Sequence, residues 1–387
     1  MKLALIGFGQ AGGKIVDDFL AYEHSLGSDF VSGAIAVNSA STDLHGLEWI
    51  PDEQQILIGQ SRVKGHGVGA DNELGAEIAE ADVGEIQRAI DEIPVHEIDA
   101  FLVVAGMGGG TGSGGAPVLA KHLRHLYTVP VYGLGVLPGT DEGGIYTLNA
   151  ARSFQTFVRE VDNLLVFDND AWRASGESVR SGYDGINAEI VTRFGTLFAA
   201  GEVTDGANVA ESVVDSSEII NTLAGGGVST VGYASETVDT ESGLLSRVTG
   251  RDPGVDEVAA TTRMTSLVRK GTLGRLTLPC EVESAERALV VSSGPPAHLN
   301  RKGIERGRKW LEEETGSMEV RGGDFPLPER EEVGVTVLLS GVTNVPRIKQ
   351  LQRVAIEARD TAAEVRAASQ DGFESLVDTQ GELDALF

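Results

Sequence analysis

Gly106-Met107-Gly108-Gly109-Gly110-Thr111-Gly112-Ser113-Gly114-Gly115 decides how this 387-residue chain is read. The stretch follows an apolar run, Phe101-Leu102-Val103-Val104-Ala105, and precedes a helical pattern from Pro117 to Leu126. A strand running into a glycine-rich turn and then a helix is a device for holding phosphate. Glycine lets the backbone approach the anion, and the first turn of the helix offers free N–H groups and a positive dipole end. Thr111 and Ser113 bring hydroxyl donors to the same place. The wording is not that of a Walker loop, which requires G-x-x-x-x-G-K-[ST].

Working outward, the first half of the chain alternates strand and helix patterns. Strands are predicted at Lys2–Ile6, Gly33–Asn38, Ile56–Ile58, Ala100–Ala105, Val131–Val136 and Leu164–Phe167. Helices are predicted at Ala11–Ala21, Glu73–Ile90, Pro117–Leu126 and Ile145–Val158. This is the pattern of an α/β, doubly wound, mostly parallel sheet, whose ligands bind beyond the carboxyl ends of the strands. From Tyr183 to Ala199 the apolar residues Ile186, Ile190, Val191, Phe194, Leu197 and Phe198 describe one face of a long helix. A loop, Gly201 to Asn208, leads to a smaller α+β region. Helices Asp256–Lys270 and Leu299–Thr315 mix there with strands Val228–Tyr233, Arg275–Val282, Arg287–Ser292 and Val333–Ser340. The last stretch, Ala355 to Phe387, reads as a helix followed by an acidic tail.

Composition narrows the setting. The net charge of −27 repels nucleic acid and anionic membranes. The acids are spread along the chain and arginine outnumbers lysine, a surface suited to concentrated salt, which screens the self-repulsion. No apolar run is long enough to span a bilayer. The start, Met1-Lys2-Leu3-Ala4-Leu5-Ile6-Gly7, enters a strand pattern directly without a signal-peptide core, which points to the cytoplasm. The single cysteine, Cys280, excludes an internal disulfide and reads as a small buried apolar residue.

The first strand ends in Gly7-Phe8-Gly9-Gln10-Ala11-Gly12, the G-x-G-x-x-G dinucleotide fingerprint in a strand–turn–helix setting. Taken alone it argues for an NAD-dependent oxidoreductase. Two features weigh against that. Asn38 stands where a ribose-binding acid is expected, and a second phosphate loop at 106–115 is more than a dinucleotide fold needs. Two glycine loops converging on one site fit a triphosphate better.

Gly108-Gly109-Gly110-Thr111-Gly112-Ser113-Gly114 resembles the signature loop of the tubulin/FtsZ superfamily of GTP-driven cytoskeletal proteins, and the likeness extends over about residues 1–350. It implies a nucleotide site for GTP/GDP and Mg²⁺ built from successive loops. Gly9, Gln10, Ala11, Gly12 and Gly13 match the first, closer to tubulin than to FtsZ. Lys14 departs from both and is read either as reaching phosphate or as facing solvent. Asn38 matches the second loop, Gly69, Ala70 and Asp71 the third, and Gly108 to Ser113, with Thr111, the signature loop. Glu142, in Pro138-Gly139-Thr140-Asp141-Glu142-Gly143-Gly144, matches the ribose-contacting acid, while Tyr146 sits near the place of an FtsZ arginine. Asn169 matches the guanine-edge asparagine. Tyr183 and Asn187, four apart on one helix face, match the stacking and base-reading pair of tubulin. No metal ligand is assigned.

The resemblance also implies that the water-activating acids come from the next subunit. Val213-Val214-Asp215-Ser216-Ser217-Glu218 resembles that segment, which nominates Asp215 and Glu218; an alternative register uses Asn208-Val209 with Glu211. The partners implied are further copies of the chain in a head-to-tail homopolymer and guanine nucleotide, with the C-terminal tail open to an adaptor protein. The organisation implied is a GTP-binding domain (1–181), a central helix (182–201), an α+β activation domain (202–350) and a C-terminal helix and tail (351–387). The mosaic of tubulin-like and FtsZ-like features on an acidic background looks like the archaeal CetZ branch, associated with cell shape. An FtsZ-like division role and a nucleotide-binding regulator that never polymerises stand as alternatives. The charge reading is tested by unfolding the protein at low and at molar KCl: stability should collapse at low salt, and full stability there would contradict it.

Overall fold

Alternate residues of the central strands bury on opposite sides, as a two-faced parallel sheet requires. In the computed structural model, which describes residues 1–172, 179–202, 214–238, 257–317 and 319–357, strand β1 (Leu3–Phe8) sends Leu3 and Leu5 into one core. Ala4, Ile6 and Phe8 enter the other. Strand β4 (Ala100–Gly106) repeats the pattern, with Ala100, Leu102 and Val104 on the first side and Phe101, Val103 and Ala105 on the second. The first face is covered by helix Gly9–Leu26 and the central helix Val179–Ala199. All six apolar residues that mark the face of the central helix are buried, and Phe198 meets Phe19 with ring centroids 6.3 Å apart. The second face is covered by Asn72–Ala81, Thr111–Leu126 and Gly144–Glu160, which bury Ile78, Leu119, Leu123 and Phe157.

The remaining strands are β2 (Val31–Asn38), β3 (Gln55–Leu57), β5 (Val131–Leu137), β6 (Asn163–Asp168), β7 (Val228–Thr237), β8 (Arg287–Gly294), β9 (Val320–Pro326) and β10 (Glu332–Ser340). One ten-stranded sheet runs in the order β3-β2-β1-β4-β5-β6-β7-β10-β8-β9. It is parallel from β3 to β7, antiparallel on both sides of β10 and parallel again between β8 and β9. The two halves meet where β6 pairs with β7 over only Leu164–Val228 and Leu165–Ser229. The order reverses between β1 and β4, and the crevice beyond such a switch point is where doubly wound sheets bind ligands. The expected doubly wound α/β fold with a smaller α+β part is present. No helix among the described residues is long and apolar enough to cross a membrane.

Three expectations need correction. The predicted helix Glu73–Ile90 is two helices, Asn72–Ala81 and Val83–Ile90, which change direction at Asp82; its carboxylate accepts from the Gly59 N–H at 2.6 Å. The predicted strand Arg275–Val282 is an irregular connection. Only Leu276 forms a bridge, to Gly232; the Thr277 hydroxyl takes the place of a backbone partner by accepting from the Val231 N–H and meeting Thr230 Oγ1, and Pro279 has no N–H for a ladder. Cys280, within it, is half-buried, and burial pushes its thiol up to about 11. Conversely, no strand is predicted over β9, where Gly322, Gly323 and Pro326 interrupt the pattern, yet it forms the sheet edge beside β8. Asn208, Val209, Glu211, Val213 and the tail beyond residue 357 lie outside the described residues; residues 346–357 are helical.

The helix after β1 packs backbone to backbone against β4. A Cβ on Gly12 would stand 2.2 Å from the Val104 carbonyl oxygen. Gly12→Ala is therefore expected to cost at least about 2 kcal/mol in denaturant unfolding. Gly84→Ala, on the exposed start of helix Val83–Ile90 with nothing within 4 Å, should be neutral or stabilising by up to ~1 kcal/mol. Equal stability of both variants with the parent would contradict this packing.

Candidate functional site

The carboxyl ends of β1 and β4 open into a cavity of about 880 Å³. One wall is Phe8 to Ala11 with Lys14 and Ile15; another is Gly106, Gly108, Gly109 and Gly112, with Pro138 and Tyr146 against Gly108; Asp141, Glu142, Asn169, Tyr183, Ile186 and Asn187 complete the lining. The two glycine loops touch directly. Gly9 has a φ of 74°, and a Cβ there would lie 2.8 Å from the Gly112 nitrogen. The cradle is thus bare backbone, with the N-terminal turns of two helices facing one space. This suits an anion without requiring a lysine-centred loop. Lys14 is exposed and lines the same wall.

Of the predicted phosphate residues, Gly9, Gln10, Ala11, Lys14, Gly108, Gly109 and Gly112 line the cavity. Gly12 and Gly13 lie buried beneath it. Thr111 and Ser113 are buried, and their hydroxyls hold the loop together. Thr111 Oγ1 meets Ser39 Oγ at 2.7 Å, and Ser113 Oγ donates to the Gly109 carbonyl. Gly110 belongs to the same loop and packs on Val68 and Asp71. Asn38 is buried and shapes the turn after β2, where its Oδ1 accepts from the N–H groups of Ser39 (2.8 Å) and Ala40 (3.2 Å). In the third loop Gly69 (φ 59°) precedes Ala70, which adopts a φ of 65°, uncommon for a residue with a Cβ. Asp71 caps the next helix by accepting from the Leu74 N–H at 3.0 Å.

Asn149 ties the third loop to the signature loop. Fully buried on helix Gly144–Glu160, it donates from Nδ2 to the carbonyls of Ala70 (2.7 Å), Gly108 (3.0 Å) and Gly109 (3.3 Å). Sequence reading missed it; the only signal was an amide inside an otherwise alanine-flanked turn, Leu148-Asn149-Ala150-Ala151.

Glu142 Oε1 accepts from the Gly139 N–H at 2.6 Å, closing the loop that follows Pro138. Asp170 holds the same loop through the Thr140 N–H (2.9 Å) and hydroxyl (2.8 Å). Behind it lies a buried ion pair that sequence reading also missed. Arg347, at the start of the helix 346–357, donates to Asp168 Oδ1 at 3.3 Å and to the Pro138 carbonyl at 2.7 Å. Burial pushes the Asp168 carboxyl up to about 6, with the Arg347 charge opposing that rise. Arg347 thereby fastens the C-terminal part of the chain to the wall of the cavity.

Asn169, next to Asp168, is buried, and its Oδ1 has no hydrogen-bond partner among the described residues. Tyr183 and Asn187 face the cavity from the first turns of the central helix. Asn187 Nδ2 donates to Asp18 Oδ2 at 3.1 Å. An orphaned amide oxygen beside an aromatic ring and a second amide fits a purine carrying N–H donors.

Asp215 and Glu218 stand at the other pole. Asp215 is the N-cap of helix Ser216–Leu223 rather than a member of it. Its Oδ1 accepts from the Glu218 N–H at 3.0 Å and the Ser217 hydroxyl at 2.5 Å, and the Ser217 bond holds its carboxyl below the usual range. Glu218 pairs with Arg321 at 3.5 Å and remains a third exposed. A Cβ on Gly201 would touch both the Met1 nitrogen and the Ser216 nitrogen, so this helix begins beside the start of β1. The cavity opens beyond the other end of that strand. A six-residue strand separates the two poles by roughly 20 Å.

Comparison with known proteins identifies the family and the fold. The family model "Tubulin/FtsZ family, GTPase domain" matches residues 2–177, and "Tubulin-like CetZ, C-terminal domain" matches residues 176–357. Tubulin-like protein CetZ1 of Haloferax volcanii is 73% identical over 373 residues, covering 95% of this chain and 94% of that protein. Among solved structures, the GDP-bound CetZ1 monomer from Haloferax volcanii superposes with a TM-score of 0.84 at 70% identity, over 93% of this chain and 100% of that one. A GTPγS-bound CetZ2 protofilament from the same organism gives 0.83 at 46% identity, over 94% and 100%. The fingerprint at residues 7–12 lies within the GTPase-domain match, so the dinucleotide reading is not kept.

Arg347→Met leaves Asp168 buried without its counter-charge, at an expected cost of about 3–5 kcal/mol at pH 8. Asp168 protonates near pH 6 in the folded state and near its ordinary 3.8 when unfolded. Between those values the folded state holds more protons, so the stability this carboxyl contributes falls as pH rises through 6. Without Arg347 the folded value rises further, so the deficit should shrink between pH 8 and 5.5. Denaturant titration of variant and parent at both pH values checks this, and a constant deficit would contradict it.

Proposed function

This chain belongs to the tubulin-like CetZ family of tubulin/FtsZ GTPases, and we propose that it is a filament subunit whose active site is completed by a second copy. The observation that carries this reading is the placement of cavity and acids at opposite ends of β1. The carboxylates at the cavity, Asp141 and Glu142, lie at its ribose end, and Glu142 is engaged by the Gly139 N–H. A water attacking the terminal phosphate therefore needs an acid from elsewhere. Head-to-tail stacking along the strand direction carries the Asp215–Glu218 end of one subunit onto the cavity of the next. Such a contact is heterologous and generates a filament unless it closes.

In this scheme the Gly9–Ala11 and Gly108–Gly112 backbones hold the phosphates by N–H groups and helix dipoles. Lys14 adds a charge at the rim. Mg²⁺ bound with the triphosphate would supply charge neutralisation at this cradle, and no side chain among the described residues is assigned to hold it. Glu142 takes the ribose, Tyr183 stacks on the base, and Asn169 and Asn187 read its edge. Asp215 is committed to its cap, so Glu218 is the acid that orients water, and Arg321 holds it in place until the neighbour docks. GTP at the interface favours assembly and its hydrolysis loosens the contact. The C-terminal match to the CetZ domain favours this branch over an FtsZ-like division protein. Cell-shape control in the cytoplasm is the role that membership implies, with an adaptor at the C-terminal tail.

Glu218→Ala should bind GTP as the parent does, hydrolyse it about 100-fold more slowly, and give assemblies whose light scattering in molar KCl decays late. Unchanged hydrolysis would overturn the assignment of Glu218. Absence of any GTP-dependent scattering by the parent would instead favour a regulator that does not polymerise.

A further inference from the structure

Two neighbouring aspartates on helix Gly9–Leu26 do different work. Asp17 is buried and spends both oxygens on backbone N–H groups, those of Glu48 (2.9 Å), Trp49 (2.7 Å) and Ile50 (2.9 Å). Its role is to hold a loop. Asp18 is half-buried and lies outside the cavity lining, and it accepts from Asn187 Nδ2. Burial raises its carboxyl above the usual range, and the bond from Asn187, followed by the Lys14 charge, opposes that rise.

We infer that Asp18 sets the base preference of the site by fixing which end of the Asn187 amide faces the nucleotide. This rests on the guanine-nucleotide reading of the cavity. A side-chain amide presents a donor at one end and an acceptor at the other, and a free one turns over to suit whichever base arrives. An ionised carboxylate only accepts, so the NH₂ end must face Asp18. The carbonyl end is then left to the cavity that Asn187 lines. With the unpartnered Asn169 Oδ1, the base end offers two acceptors. Guanine meets them with two donors, its ring N1–H and its exocyclic amine. Adenine presents a lone pair and a C–H on the same edge, which leaves both oxygens unpaired. A site whose polar groups are left unpaired discriminates strongly. Asp18 is a positioning residue: it touches Asn187 and not the nucleotide.

The test uses the full chain in molar KCl and calorimetric affinities for GTP and ATP. The parent should prefer GTP. Asp18→Ala and the near-isosteric Asp18→Asn should narrow the GTP-to-ATP ratio by about tenfold, with the thermal midpoint of the nucleotide-free protein unchanged for Asp18→Asn. In an Asn187→Ala background, adding Asp18→Ala should leave the ratio where Asn187→Ala alone puts it, because the two residues act as one unit. A merely structural role would lower both affinities together and leave the ratio intact. A parent ratio kept by both Asp18 variants, or additive effects in the double variant, would overturn the inference while the guanine reading stands. Equal affinities of the parent for the two nucleotides would overturn that reading and this inference with it.

Discussion

The structure depends on two stretches of backbone approaching each other with no side chain between them. Gly9 lies against the Gly112 nitrogen, and Gly12 lies against the Val104 carbonyl. This contact lets β1 and β4 sit side by side where the strand order reverses and aims the starts of two helices into one crevice. The phosphate cradle is a consequence of that packing. Any side chain at these positions would separate the loops before it altered a ligand contact.

That arrangement also answers an electrostatic problem. A chain with net charge −27 has to hold a polyanion. Dipoles fixed in the backbone supply the needed local field, and they act at short range where surface acids are screened by salt. Around the cradle, single side chains act as fasteners. Asn149 joins two loops through three carbonyls, and Arg347 joins the helix 346–357 to the Pro138 carbonyl and to Asp168. The cavity wall is therefore mechanically connected to the half of the chain that carries β7 to β10. Under the proposed function this is a physical route from the nucleotide to a filament contact.

Most strands, the two glycine loops and the face of the central helix were legible because they rest on local signals: apolar runs, glycine spacing and a 3.6-residue apolar stripe; the rest of the expected cavity lining came from the family resemblance. The Tyr183–Asn187 pair was legible because four residues make one helical turn. Asn149, Asp18 and Arg347 were not, because each acts across 40 to 209 positions of sequence, and nothing in their immediate neighbours announces a partner. β9 was missed for the reverse reason. Its glycines and proline are local loop signals, overridden by pairing with β8. The stretch Arg275–Val282 had strand-like composition, but its hydrogen bonds go to Thr230, Val231 and Gly232 in an irregular pattern rather than to a ladder.

The central claim is that cavity and acid act from different molecules, and mixing two inactive variants tests it directly. Glu218→Ala keeps the cavity and loses the acid. Gly109→Glu keeps the acid and fills the cradle with a like charge, at a position where a Cβ meets nothing within 4 Å and the fold is undisturbed. Each variant alone should hydrolyse GTP slowly. An equimolar mixture in molar KCl should regain turnover, because some contacts then pair an intact cavity with an intact acid. A mixture no faster than its two components, while still assembling, would contradict a shared active site.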